Sequence, residues 1–222
     1  MINILGKVSP LFFLLSFFLF NTALAAEEIS PTQELAKIIS VLAIQADELN
    51  KGLNQLKNLS ENQEFIKTNH ANNLKAIVLY YQSLKINEDG SNVKDLASEI
   101  KENRQEIFNP QLKRASEFLL VFQTKSVLKT AESRFLKINT DIDRLSGLEI
   151  LEKSKPQILL NEAHLSLVAA DGFVEKAEFW VSTTTESEDV NIKDLTARAV
   201  ARIRTAYKKF FDISSLIKEA IE

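Results

Sequence analysis

Histidine is the side chain best suited to bind a metal ion or to transfer a proton near neutral pH, and this sequence contains two, His70 and His164. Metal sites in helical bundles place a glutamate three residues before each histidine, so that both side chains lie on one face. Here the residues at that spacing are Lys67 and Asn161. We therefore expect no metal ion, no cofactor and no catalytic residue. Because His70 falls on an apolar stripe, we interpret it as a hydrogen-bonded structural histidine.

A second candidate for chemistry is a calcium-binding loop. Asn87, Asp89 and Gly90 would occupy its third, fifth and sixth positions. In that register the first ligand would be Lys85 and the twelfth Leu96, neither of which supplies the required oxygen. The segment is therefore predicted to be a solvated turn.

Residues with aromatic rings could line a ligand pocket between helices. The candidates are Tyr80, Tyr81 and Trp180, together with His70. Aromatic residues at helical spacing are more often core residues, since burial of one contributes ~2 kcal/mol without any ligand. The pattern favours a core role, and the pocket remains the alternative.

Composition narrows the classes of partner. The 222 residues include 27 Lys and Arg against 30 Asp and Glu, a net charge of −3, and no cysteine. Removing residues 1–25, which hold Lys7 and no acid, leaves 26 basic and 30 acidic residues, a net charge of −4. The charges are well mixed, so no basic stripe is available for nucleic acid. The lack of cysteine excludes disulfides, a thiol nucleophile and covalent haem attachment.

The N-terminus has the pattern of a secretory signal peptide. Lys7 precedes an apolar run from Leu11 to Phe20, which is half the ~20 residues that a membrane-spanning helix needs. Small residues follow at the positions a signal peptidase reads, and cleavage is predicted after Ala25. An uncleaved anchor is the alternative, and either arrangement exports the remaining chain to the periplasm, the cell envelope exterior or the medium. No later segment predicts stable membrane insertion. The residues that define the cleavage site are Ala23, Ala25 and Ala26.

Two capping boxes predict where helices begin. Ser30 and Ser60 are each followed three residues later by glutamine, Gln33 and Gln63, whose side chains can bond back to the serine N–H. Behind the first box an apolar heptad seam extends over three repeats, which is typical of a helix packed in coiled-coil fashion. Whether the second box begins a new helix or lies in a continuation of the first is left open. The seam consists of Leu35, Ile39, Leu42, Ala46, Leu49, Leu53 and Leu56.

The rest of the chain also has helical periodicity. A short helix is predicted from about 92 to 108, a long one from Asn109-Pro110 to about 146 with Gly147 as its stop, one from 155 to about 183, and one from about 191. The helix predicted from 155 to about 183 is apolar over a broad face, so we expect it to be central in the bundle. An acidic loop is predicted from Thr183 to Val190.

The predicted fold class is all-α, an elongated antiparallel bundle of about five to six helices with coiled-coil-like seams. Residues 26–222 are predicted to form one bundle. The alternative is a subdivision near residue 109, with N-terminal helices in 26–108 and a three-helix unit in 109–222.

The C-terminal part resembles exported helical, coiled-coil-like proteins of small-genome bacteria. In those proteins a helix that ends in an Ile-Asp-Arg-Leu-like pattern precedes an alanine-rich helix and a closing helix. The resemblance covers roughly the last 90 residues, although Glu and Ala are less frequent here. Those proteins have no assigned activity, so it implies a helical fold and export and brings no site residues. The matching residues are Phe135-Leu-Lys-Ile-Asn-Thr-Asp-Ile-Asp-Arg-Leu145, Ala163-His164-Leu165, Ala177 and Tyr207-Lys208-Lys209-Phe210.

The sequence has heptad seams and no recognisable catalytic, metal or cofactor site. This combination predicts a non-enzymatic structural or protein-interaction protein. Its helix faces would bind a protein partner or a second copy of the chain. The alternative is an exported ligand-binding or chaperone-like bundle with its pocket near Trp180 and the tyrosines. An enzyme is the least favoured class, because no catalytic arrangement of residues is recognisable.

Overall fold

The computed structural model describes residues 30–183 and 190–221. The predicted signal peptide, with Ala23, Ala25 and Ala26, lies outside these ranges, as does most of the predicted acidic loop. Every regular element in the described ranges is helical, which confirms the predicted all-α fold class. The elements are α1 Pro31–Gln55, α2 Glu61–Ser83, α3 Val93–Asn103, a π-helical turn Arg104–Phe108, α4 Asn109–Gly147, α5 Ser154–Val181 and α6 Ile192–Ile221.

Both predicted capping boxes are present. At the start of α1 the Ser30 hydroxyl accepts from the Gln33 N–H at 3.3 Å, and the Gln33 side chain accepts from the Ser30 N–H at 3.2 Å. Ser60 and Gln63 make the same pair of bonds at the start of α2. Between the two helices Asn58 has a φ of 58°. This left-handed conformation interrupts helical geometry, so α1 and α2 are separate helices.

The chain passes from α3 to α4 without a loop. The π-helical turn connects them, and its last bond runs from the Asn109 N–H to the Arg104 carbonyl five residues earlier. Pro110 has no N–H and would clash with the carbonyl four residues earlier in a regular α-helix. The wider turn just before it accommodates the proline, so Asn109-Pro110 begins α4 while the helical path continues across it.

Gly147 is the last residue of α4, as predicted, but another residue reverses the chain. Gly147 is not among the residues with positive φ, whereas Glu149 has a φ of 57°. The Ile150 N–H then bonds to the Leu145 carbonyl at 3.1 Å, which closes the helix end.

The N-terminal core lies between α1, α2, α3 and the first part of α4. Large side chains dominate it, and several rings pack against one another there. Four buried residues of α4 belong to this core although they follow Asn109-Pro110 in sequence. Those four are Ala115, Phe118, Leu119 and Phe122.

The C-terminal core lies between the second part of α4, α5 and α6, and smaller clusters continue it at either end. The division between the two cores therefore falls within α4, between Phe122 and Leu128. Because α4 contributes to both cores, it is the central helix. α5 packs between α4 and α6 in the C-terminal core and its flanking clusters, and one of its faces remains exposed. The buried members of this core are Leu128, Ala131, Ala163, Leu167, Ala170, Val174, Ala199, Ile203, Ala206 and Phe210.

Candidate functional site

Tyr80 and Tyr81 lie together in an aromatic cluster with Phe108, with ring centroids 5.1 to 5.5 Å apart. The Tyr80 hydroxyl donates to Glu99 and accepts from the Asn103 amide, both at 2.9 Å. Tyr81 is buried, and its hydroxyl has no hydrogen-bond partner among the described residues. Burial raises the pKa of both phenols. The arrangement is that of a packed core.

The other two candidate pocket residues lie elsewhere. The His70 ring is 5.5 Å from that of Phe118, and burial, with a smaller contribution from the Arg114 charge, lowers the pKa of His70. Trp180 packs in a separate cluster beside Val121. The structure therefore brings Tyr80 and Tyr81 together but places His70 and Trp180 apart from them. None of the four lines the large groove described below.

The described residues contain little that suggests metal chemistry. No group of three or more His, Asp or Glu side chains within residues 30–183 and 190–221 could hold a metal ion. In the former calcium-loop candidate, Asp89 accepts from the Ser91 N–H at 2.9 Å and Gly90 has a φ of 69°, which is the geometry of an exposed turn. Nothing in the described part of the chain positively indicates catalysis.

An exposed apolar seam on α5 is the first surface that could bind a partner. Its seven positions recur at alternating spacings of three and four, so they lie on one face of the helix, and large apolar side chains occupy four of them. The exposed fractions of its large side chains are 59% for Ile158, 68% for Leu165, 55% for Val168 and 59% for Phe179. We call this surface the α5 outer face, and its residues are Ile158, Asn161, Leu165, Val168, Gly172, Glu175 and Phe179.

Polar residues flank the α5 outer face. Glu162 and Lys176 are both exposed on the same side of the seam. Glu162 accepts from Lys209 of α6 at 2.5 Å and retains 48% of its side-chain exposure. Beside Gly172 the space is open, since no heavy atom of a neighbouring element lies within 4 Å of where a Cβ would be.

Reasoning from sequence missed the α5 outer face although a signal for it was present. Residues 158, 165, 172 and 179 recur every seven positions, just as Leu160, Leu167 and Val174 do. The sequence pattern was interpreted as one broad apolar face, so the second seam was not recognised as separate. Only the packing of α5 against α4 and α6 separates the buried stripe from the exposed one.

A groove of about 1050 Å³ is the second candidate surface. It lies where the α1–α2 connection meets the middle of α4 and the first half of α6. Gln123 lines it, and the side-chain oxygen of Gln123 is buried without a hydrogen-bond partner among the described residues. No part of α5 lines this groove, so the two surfaces are distinct.

None of the described helices has an apolar stretch long enough to cross a membrane. Comparison of the chain with family models, with curated proteins and with solved structures finds no match. Conclusions about function therefore depend on the two surfaces described above.

Proposed function

We propose that this chain is an exported, non-enzymatic helical interaction protein that pairs with a second copy of itself through the α5 outer face. The observation that carries the proposal is the exposed apolar seam, four large side chains aligned along a helix of 28 residues. Scattered apolar residues are normal on protein surfaces, whereas an aligned group is typical of an interaction site. Contact would remove these side chains from water at a gain of roughly 25 cal/mol per Å².

A second copy is the favoured partner because the seam is self-complementary. In a two-fold symmetric pair each residue away from the axis meets a different residue of the other copy, the reverse contact also occurs, and a residue on the axis meets its own counterpart. Antiparallel pairing centred near Val168 would set large residues against large or small ones, polar against polar and acidic against basic. The facing pairs would be Ile158 with Phe179, Leu165 with Gly172, Asn161 with Glu175, and Glu162 with Lys176.

The size of the face predicts a weak, reversible dimer. A helix of 28 residues is about 42 Å long and about 10 Å wide, so each copy would bury roughly 400 Å². The total of roughly 800 Å² is below the ~1,200 Å² of a stable standard interface. Self-association is therefore expected to depend on protein concentration.

Sedimentation equilibrium tests the proposal on protein purified after expression of the full 222-residue sequence. We expect the weight-average mass to rise towards that of a dimer between about 10 µM and about 1 mM. Leu165→Asp should hold the protein monomeric, because it places a charge in the centre of the seam. Leu136→Asp is the matched control, since Leu136 is 63% exposed on α4, outside the face. A monomer at all concentrations, or equal loss in both variants, would contradict the proposal.

A charge exchange tests the antiparallel arrangement separately. Lys176→Glu should weaken the dimer, because it would face Glu162 of the second copy with a like charge. Because Glu162 also pairs with Lys209 of its own chain, the exchange includes Lys209→Glu, and the variant Glu162→Lys, Lys176→Glu, Lys209→Glu should restore the dimer. If this variant is as weak as Lys176→Glu alone, the antiparallel register is wrong, and the Leu165→Asp experiment tests dimerisation through α5 independently.

Export remains part of the proposal and has its own test. The N-terminal pattern supports it, with cleavage expected between Ala25 and Ala26. Intact mass measurement of the purified product should give the mass of residues 26–222. A product that retains residues 1–25 in the membrane fraction would indicate an uncleaved anchor.

A further inference from the structure

The groove at the junction of the two cores has an apolar floor. The α1–α2 connection, α4 and α6 all contribute residues to this floor, which runs along α4 and α6 beneath the end of the α1–α2 hairpin. Its volume of about 1050 Å³ is at the upper limit of ~300 to 1,000 Å³ typical of small-molecule sites. The apolar residues are Leu56, Leu59, Leu120, Phe122, Val127, Ala197, Val200 and Ala201.

The charged side chains that line the groove are all basic. No Asp or Glu is among its lining residues, although the whole chain is net acidic. Lys125 is neutralised by Glu178, to which it donates at 2.5 and 2.7 Å. The five basic residues are Lys57, Lys125, Lys129, Lys193 and Arg204.

Three of the remaining cations, Lys57, Lys129 and Arg204, form no ion pair within the described residues, and Glu132 lies near enough to Lys129 for their charges to interact. An apolar cleft with walls of low dielectric strengthens the field of the cations around it. The groove is therefore complementary to a ligand that is both apolar and negatively charged.

Two of the basic residues lie at one end of the groove, and Lys193 lies at the other. Leu128 and Ile203, which directly precede Lys129 and Arg204, are buried together in the C-terminal core. At the other end Val121 of α4 and Ile192 of α6 share a cluster, so the two helices run in the same direction. Lys129 and Arg204 consequently lie at the same end of the groove.

The length of the groove matches an extended hydrocarbon chain. Its α6 wall runs from Lys193 to Arg204, a rise of ~17 Å. One leaflet of a bilayer, half of a ~30 Å hydrocarbon core, is about as deep. A helical peptide in the same space would have only about three turns and would bring ~10 Å of width, which makes it the weaker fit.

We infer that the groove is a binding site for a single-chain anionic amphiphile, a fatty acid anion. Its hydrocarbon chain lies along the apolar floor and its carboxylate is held by Lys129 and Arg204. This site shares no residue with the α5 outer face, so it is independent of the proposed self-association.

Calorimetric titration with dodecanoate tests the site on the protein produced from the full sequence. We expect one dodecanoate per chain and a rise in melting temperature, since a ligand of the folded state stabilises it. Dodecyltrimethylammonium has the same chain with the opposite charge, and hexanoate has the same headgroup with a short chain. Both should bind at least about tenfold more weakly, because each lacks one of the two interactions.

Substitutions in the groove test whether dodecanoate binds there. Lys129→Gln with Arg204→Gln should weaken dodecanoate binding about tenfold, and Ala201→Trp should abolish it by filling the groove from an exposed position. Lys75→Gln with Lys208→Gln removes two exposed charges outside the groove and should leave binding unchanged. The inference is overturned if the cationic amphiphile binds equally well or if the groove variants have no effect. It is also overturned if only an acidic amphipathic peptide binds.

Discussion

The N-terminal core is built from large side chains, whereas the C-terminal core is built largely from alanine. Four of the fourteen buried residues of the N-terminal core are aromatic and two are alanine. In the C-terminal core one of ten is aromatic and five are alanine. In both cores the side chains recur at helical spacing, so the two regions differ in the size of their core residues rather than in pattern.

This difference accounts for the exposed apolar seam on α5, although exposed apolar side chains also occur on α1, at Ile38, Val41 and Ile44. Alanine lets helix axes approach towards the lower end of the ~8 to 10 Å range, so α5 and α6 bury narrow stripes against each other. The other apolar residues of α5 then remain outside, where they form the α5 outer face. Large residues in the N-terminal core fill a wider space between helices. Matched substitutions in the two regions test this comparison.

The largest effect is expected from Phe118→Ala in the N-terminal core. Phe118 is fully buried and packs on Phe122 with ring centroids 4.6 Å apart. The lost burial and the resulting cavity should lower the free energy of unfolding by about 3 to 5 kcal/mol. Urea denaturation measures it. Phe211→Ala is the control, since Phe211 is 68% exposed and its loss should change little.

In the C-terminal core, replacing a small side chain with a large one should be the damaging change. Ala170 is fully buried, so Ala170→Leu must force α5 away from its neighbours. We expect the free energy of unfolding to fall by about 1 to 3 kcal/mol. Denaturation measures it. Ala76→Leu on the exposed side of α2 is the control. If Ala170→Leu is neutral, the alanine core is not closely packed and the comparison fails.

The contact that connects the two regions should have a smaller effect. Glu178 of α5 accepts from Lys125 of α4 and from the Gln63 amide of α2, the latter at 2.7 Å. Glu178→Gln removes the charge from this part-buried group and should cost about 1 to 2 kcal/mol. If the contact couples the two cores, the unfolding transition of Glu178→Gln in calorimetry should be broader than that of the unchanged protein. A transition of unchanged width would mean that α4 alone couples them.

The smallest effect concerns pH and belongs to the N-terminal core. Burial lowers the pKa of His70 below 6.5, so the folded chain remains neutral there while the unfolded chain takes up a proton. Stability should therefore fall as the pH drops through 6.5 and should level off below the folded-state pKa. Urea denaturation at a series of pH values measures this. His70→Gln should reduce the slope in that window, and an unchanged slope would show that other groups cause it.

Local features of the fold were predictable because they depend on a few neighbouring residues. The boxes at Ser30 and Ser60 require only a serine and a glutamine three residues apart, and both are present in the structure. The heptad seam of α1 was also informative, since Leu35, Leu42 and Leu53 are buried. The stop at Gly147 was placed correctly, although Glu149 makes the left-handed turn.

The candidate sites were less predictable, because a site combines residues from distant segments. Tyr80 and Tyr81 are neighbours in sequence and lie together, whereas His70 packs on Phe118 elsewhere in the N-terminal core and Trp180 lies in a separate cluster. No local pattern indicates that Lys57, Lys129 and Arg204 line one groove. Their proximity depends on how α1, α4 and α6 are arranged in space.

The sequence by itself determined that this chain is helical, where its helices begin, and which stripe of each helix is apolar, because capping and periodicity act within a single segment. Tertiary structure alone decided that α3 continues into α4 through a π-helical turn and that α4 serves both cores. It also decided which of the two apolar seams of α5 is buried. The physical reason is that burial depends on which helix lies alongside, and that neighbour comes from a distant part of the chain.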